Sequence, residues 1–213
     1  MDTIKSKYHE TLAATIIKNL EKRQMEGYYC PTVEDAEKLA FSFLKDGQSV
    51  SFGGSMTLED TGMLTALRHD PGITLLDRAQ AKTPEETKKI YHDALSSDFY
   101  FMSTNAITKD GELVNIDGTG NRVAALIYGP EHVIVMAGMN KVAANVDEAL
   151  SRVHGTATPM NCKRLGKNTP CSATGVCSDC LSPDCICNQV VITRRSGIEG
   201  RIKVILIGEE LGY

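Results

Sequence analysis

Asn121–Gly155, NRVAALIYGPEHVIVMAGMNKVAANVDEALSRVHG, decides the architecture. NRVAALIYG reads as a short apolar helix, HVIVMAG as a strand and VDEALSRVHG as a second helix. HVIVMAG is apolar without polar alternation, the pattern of a strand buried on both faces, as in a parallel sheet covered by helices. The same alternation extends in both directions. SVSF, GITLLD, DFYFMST and ELVNID are the strand candidates before it, and QVVITRR and RIKVILIG follow it. Between them lie helical segments of ten to fifteen residues, a rhythm of βαβ units and a largely parallel sheet.

The helices carry their own signals. Residues 3–26 place Ile4, Tyr8, Leu12, Ile16 and Leu20 on one stripe at helical spacing, an amphipathic helix expected to dock on the core and compatible with a homodimer. Thr32 is the expected N-cap of the next helix, with acidic residues in its first turn and Gly47 at its close. MTLEDTGMLTALRH reads as one helix. TPEETKKIYHDALSS has Thr83 at the N-cap, Pro84 at the first helical position and Glu86 placed for a capping box. The chain is expected to form one domain, 1–213, with an N-terminal helical arm over 1–30 and a cysteine-rich loop inserted at 160–188.

Composition bounds the function. Of 213 residues, 42% are hydrophobic and 23% charged, with a net charge of −4, which describes a globular chain. There is no basic excess to neutralise a phosphate backbone and no Trp to stack on bases, which argues against a nucleic-acid partner. Charges run throughout the N-terminal segment, unlike a secretory leader, and no apolar run is long enough to span a bilayer. A cytoplasmic location is the expectation, and in a reducing compartment clustered cysteines read as metal-binding or redox-active rather than disulfide-bonded.

In open sheets of this kind, ligands bind beyond the carboxyl ends of the strands. After SVSF comes the loop SFGGSMT, in which Gly53 and Gly54 allow close backbone approach and Ser55 and Thr57 open a helix, a setting for phosphate or carboxylate. It is neither a P-loop nor a dinucleotide fingerprint. MSTNAITKDGELVNIDGTGNRV gathers Asn105, Asp110, Gly111, Asn115, Asp117, Asn121 and Arg122. Arg122 starts an apolar helix against the dipole preference, which an anionic ligand would explain. AGMNKVAANVD offers Asn140 and Lys141, the lysine as a second anion contact. The histidines have no ligand-spaced partners and are read as structural. Glu59 and Asp60 at a helix start complement its dipole, and Cys30 is given no role.

Five of the seven cysteines fall in PCSATGVCSDCLSPDCIC, at the spacing Cys171-x5-Cys177-x2-Cys180-x4-Cys185-x-Cys187, with Cys162 upstream. Cys177 and Cys180 have the spacing to chelate one metal, with Cys171 and Cys187 (or Cys185) completing four thiolates for zinc or an iron–sulfur cluster. A loop with so little apolar content gains from such a staple. Redox thiols, disulfides and plain packing stay open.

SFGGSMTLEDTG, TNAITKDGELVNIDGTGNRVAALIYGPEHVIVMAGMNKV and TPCSATGVCSDCLSPDCIC followed by GRIKVILIGEELGY together resemble the LUD domain of bacterial lactate-utilization proteins, over roughly Ile4 to Tyr213. The resemblance implies a three-layer α/β/α sandwich like that of glucosamine-phosphate isomerase, ribose-5-phosphate isomerase and the CoA transferases. It further implies that Gly53, Gly54, Ser55, Thr57, Asn105, Asp110, Gly111 and Asn115 border a pocket. It points to an accessory or electron-transfer-linked subunit of an L-lactate or organic-acid oxidising system, beside iron–sulfur oxidoreductase subunits, binding a small anionic metabolite or phosphate-bearing ligand. It favours Cys185 as the thiol to leave out of a ligand set, since related segments carry a basic residue there. Two alternatives remain: a non-catalytic metabolite-binding or regulatory module with a structural zinc clip, and, by fold analogy alone, a sugar-phosphate isomerase.

Overall fold

The computed structural model describes residues 3–213. Residues 1 and 2 of the expected N-terminal arm lie outside it. Its strands are β1 (Glu26–Cys30), β2 (Ser49–Phe52), β3 (Thr74–Leu76), β4 (Phe99–Met102), β5 (Ala106–Thr108), β6 (Leu113–Asp117), β7 (His132–Gly138), β8 (Val142–Ala143), β9 (Gln189–Thr193) and β10 (Ile202–Ile207). Six form a sheet in the order β1-β10-β7-β4-β2-β3, with every pairing parallel.

Alternate residues of the central strands feed two cores, one on each face. Val133 and Val135 of β7, with Tyr100 and Met102 of β4, pack under Ala13, Ile16 and Leu20 of the first helix and under Ala125 and Leu126. Ile134 and Met136, with Phe99 and Phe101, face Ala36, Ala40, Leu58, Leu64 and Leu67 on the opposite side. This is the period-two side-chain alternation of a strand sandwiched by helices. The three-layer α/β/α arrangement follows directly.

The structure also corrects the reading. Residues 26–30 are not part of the helical arm. They form β1, the edge strand paired to β10, and Gly27 allows it to run so close to the helix that an added Cβ would sit 2.9 Å from Ile17. The first helix, Thr3–Lys22, buries His9, Ala13, Ile16 and Leu20, while Ile4 and Tyr8 of the expected stripe are exposed. His9 turns that face inward by hydrogen bonding to the carbonyl of Gly208 (3.1 Å). The helix begun at Thr32 ends at Ser42, before Gly47, and MTLEDTGMLTALRH divides at Gly62, whose φ of 71° no helix accepts.

A second, mixed sheet, β8-β5-β6-β9, was not expected. It contains antiparallel pairs β5–β6 and β6–β9, and QVVIT joins it rather than the main sheet. Its own small core comprises Ala106, Val114, Ile116, Ala143, Ala149, Val153 and Ala157, against the helix Val146–Arg152 and the wide turn after it. This sheet sets the loop after β6 beside the ends of the main strands. Among the described residues no helix is long and apolar enough to cross a membrane.

Candidate functional site

Residues following β2, β3, β4, β6 and β7 line one cavity of about 390 Å³. Gly54 to Thr57, Arg78, Ser103 to Asn105, Asp117, Asn121, Arg122 and Lys141 form its strand-end wall. The opposite wall comes from the segment before and within the cysteine loop, including Asn161, Arg164, Lys167 and Cys185. Tyr213 joins them from the C-terminal segment. This is the crevice beyond the strand ends that an open α/β sheet offers.

The glycine loop is shaped by close approach rather than by unusual backbone. A Cβ on Gly53 would lie 3.1 Å from Cδ of Arg122 and 3.2 Å from the Tyr100 hydroxyl, and one on Gly54 would lie 2.4 Å from the Arg78 guanidinium. Ser55 caps the next helix, accepting from the amide of Leu58 (3.4 Å). That helix, Met56–Asp60, is barely more than one turn, so its dipole supplies little and the side chains set the charge of the cleft.

Arg122 ties the loops together. Its side chain is 12% exposed. One terminal nitrogen donates to the carbonyl of Ser103 (3.0 Å) and to Asn115 Oδ1, and the other donates to Asn105 Oδ1 (2.9 Å) and the carbonyl of Ile116 (3.0 Å). Its Nε faces Asp117 at 3.4 Å. These acceptors account for a cation at a helix start. Burial weakens its hold on the proton and Asp117 opposes that shift. Asn105 also accepts from the amide of Ile116 (3.0 Å), and Asn115 is fully buried with its Nδ2 unpartnered among the described residues.

Lys141 stands at the base of the same wall, 4% exposed. Its Nζ donates to Thr57 Oγ1 (2.6 Å) and Ser103 Oγ (3.0 Å), and it forms no ion pair among the described residues. Burial above all, then Arg152 and Arg122, pushes the amine down to about 7, against a smaller opposing pull from Asp60.

The structure brings Gly54, Ser55, Thr57, Asn105, Asn121, Arg122 and Lys141 to the cleft, with Gly53 and Asn115 directly behind its wall. Three other candidates lie elsewhere. Asp110 and Gly111 form the β5–β6 turn against the end of the first helix, where Arg23 donates to the carbonyl of Asp110 (2.6 Å) and Gly111 has φ of 88°. Asn140 holds the C-terminal segment through both the amide (3.1 Å) and the carbonyl (3.4 Å) of Leu211. Sequence reasoning missed Arg78, Ser103, Arg164 and Lys167. The strand-end rule could have found the first two, since Ser103 directly follows β4 and Arg78 comes two residues after β3. No local signal marks the others.

The thiols are dispersed by the local fold. Thr169 caps a one-turn helix, Pro170–Thr174, that ends at Gly175 with φ of 77°, which carries Cys171 inward and Cys177 past the turn. Cys171 contacts Thr169 Oγ1 (3.3 Å) and lies beside Cys162, Cys177 meets His154 Nδ1 (3.5 Å), and Cys187 reaches Thr158 (3.6 Å). Among the described residues no three Cys, His, Asp or Glu side chains converge closely enough to hold a metal ion. Cys171, Cys177 and Cys187 of the expected set each meet a different neighbour. Burial pushes the Cys187 thiol up to about 11.

A family model for the LUD domain matches residues 13–207. The crystal structure of a DUF162 family protein from Deinococcus radiodurans is similar over 93% of this chain and 98% of that one, at 13% identity and a TM-score of 0.52. Ribose 5-phosphate isomerase from Plasmodium falciparum is 14% identical over 53% of this chain and 52% of its own, with a TM-score of 0.33. The eIF2B-β2δ2 complex from C. thermophilum is 18% identical over 54% and 43%, with a TM-score of 0.37. No curated protein matches the chain.

Proposed function

The chain belongs to the LUD domain family, which is associated with lactate utilization, and we propose that its cleft binds a small, multiply anionic metabolite of organic-acid oxidation. The charge inside the cleft carries this reading. Arg78, Arg122, Lys141, Arg164 and Lys167 line it, against Asp117 as the acidic side chain among the described residues, in a chain whose net charge is −4. A cleft of one sign with low-dielectric walls concentrates ligands of the other. Arg78 has the fork geometry that pairs with carboxylate or phosphate, and Gly54 leaves it room. Asn105 and Asn121 offer amides to orient the bound anion.

In this role the protein is an accessory, ligand-holding subunit of a lactate or organic-acid oxidising system; the family's association with lactate utilization supports the organic-acid part of this reading. The test is thermal unfolding at low ionic strength with lactate, pyruvate, phosphate and pyrophosphate. A ligand at a hundred times its Kd stabilises the fold by about 2.7 kcal/mol. The gain is expected to shrink with added salt and in Arg78→Ala and Arg164→Ala. If none of these anions raises the midpoint at low ionic strength, the anion reading fails.

A further inference from the structure

We infer that Lys141 is the reactive group of this cleft, its amine condensing with the carbonyl carbon of a small aldehyde or ketone that carries its own anionic group. The inference rests on the anion reading and deepens it by naming the chemistry of the ligand.

The geometry argues for reactivity rather than packing. A buried lysine that serves only the fold is ordinarily paired with a carboxylate. Lys141 lies at the wall of a 390 Å³ cavity, and both of its partners are neutral hydroxyls. Those hydroxyls direct their own hydrogens elsewhere, Thr57 to the carbonyl of Leu211 (3.4 Å) and Ser103 to the carbonyl of Thr104 (3.3 Å). Both therefore accept from the amine, and its third position has no protein partner among the described residues.

The charged groups acting on it are Arg152, Arg122 and Asp60. Arg152 is committed to the carbonyls of Asn105 (2.7 Å) and Asn140 (3.2 Å), and Arg122 to the acceptors described above. Asp60 accepts from the amide of Gly212 (2.8 Å). Two fixed cations and a dry wall keep much of the amine neutral near pH 7. Lysines desolvated beside other cations are the ones that form imines with carbonyl compounds.

The step balances without an oxidant or reductant. The nitrogen lone pair attacks the carbonyl carbon, a C–N bond forms, and the C–O bond breaks. The amine's two protons leave with the oxygen as water, giving an imine. Thr57 and Ser103 stand within hydrogen-bonding distance to relay those protons. Arg78, Arg164 and Lys167 supply countercharge for the carboxylate or phosphate of the ligand.

Borohydride trapping on the wild-type protein tests this. The chain is incubated with cyanoborohydride and either pyruvate or ribose 5-phosphate, digested, and its lysines mapped by mass spectrometry. The reduced adduct is expected at Lys141, with Lys167 in the same cleft as internal comparison. At neutral pH, labelling should favour Lys141 over ordinary lysines by up to about a thousandfold, because those are almost wholly protonated. The arm that labels identifies the ligand as a 2-oxo acid or a sugar phosphate, and either supports the inference. Lys141→Met should abolish the adduct, and should that variant not fold, the wild-type map alone decides. Labelling of Lys141 no faster than Lys167 overturns the inference. If anions nonetheless raise the unfolding midpoint, the anion site stands and only the imine is lost. If they do not, both fall.

Discussion

The cleft has two unlike walls. On the strand-end side, Arg122 spends its donors on backbone and amide groups from residues 103 to 116 and on the Asp117 carboxylate, and Lys141 is held between the hydroxyls of Thr57 and Ser103. On the cysteine side, Arg164 bonds only to Asn161, three residues away, among the described residues, and the thiols sit on a one-turn helix and successive bends. The first wall is cross-linked through buried polar groups, which specify one geometry. The second has fewer buried polar cross-links, among them Cys177 to His154 and Cys187 to Thr158. The strand-end wall is thus the more heavily cross-linked of the two.

The largest effect is expected at Arg122. Arg122→Met leaves Asp117 and several carbonyls buried without their donor, and breaking such a pair costs about 3–5 kcal/mol. Urea unfolding should show it, whereas Cys177→Ser on the other wall should change stability by less than about 0.5 kcal/mol. Equal losses would break the comparison.

Lys141→Met comes next. Replacing a buried cation that lacks a carboxylate partner with an apolar side chain of similar length removes its desolvation cost, so stability at pH 6 should be unchanged or higher. The pH dependence sharpens this. The amine sits near 7 in the fold and at 10.5 ordinarily, so between these values the unfolded chain holds a proton that the folded one has released. Stability from this group therefore rises with pH above about 7, and below that value its contribution is flat. Cys30 and Cys187, both pushed up to about 11 by burial, oppose the trend once ordinary thiols ionise. The comparison belongs between about pH 7 and 8.5, where wild type should gain stability relative to Lys141→Met. A parallel course of the two proteins would show that Lys141 titrates normally.

Cys162→Ser probes the thiols themselves. Cys162 is 1% exposed beside Cys171, and a hydroxyl there should cost about 1–3 kcal/mol. Iodoacetamide should modify Cys177 and Cys180 before Cys162 or Cys171, and the reverse order would contradict this packing. The smallest stability change is expected for Gly54→Ala, within about 0.5 kcal/mol, because the added methyl meets only the movable end of Arg78. Anion affinity should fall, since that guanidinium is displaced, and an unchanged midpoint shift with anion would remove Arg78 from the site.

Much of the fold was legible. HVIVMAG spans β7 as read, SVSF is β2, and Thr32 and Thr83 cap their helices as their spacing implied. β1 escaped because EGYYC is a short strand directly after a long helix, and its assignment depends on pairing with β10 nearly two hundred residues later. β5 escaped for a similar reason, as AIT becomes a strand only between β6 and β8. Of the site, the residues just after strands were found where a glycine or a cation drew attention. Arg164 and Lys167 were not, because nothing near them in the chain indicates a cavity.

By itself the sequence determined the alternation of strands and helices around β2, β4 and β7, the burial of the central strands on both faces and the loops that face the strand ends. These depend on periodicity and capping, which act over a few residues. Only the tertiary structure decided that Arg122 is bound by its own loops, that Cys177 meets His154 while Cys187 meets Thr158, and that Lys141 is a buried amine without a carboxylate partner among the described residues. Those outcomes depend on burial and on contacts such as Lys141 to Thr57, 84 residues apart in the chain. Local pattern carries no information about which distant groups will share one low-dielectric wall.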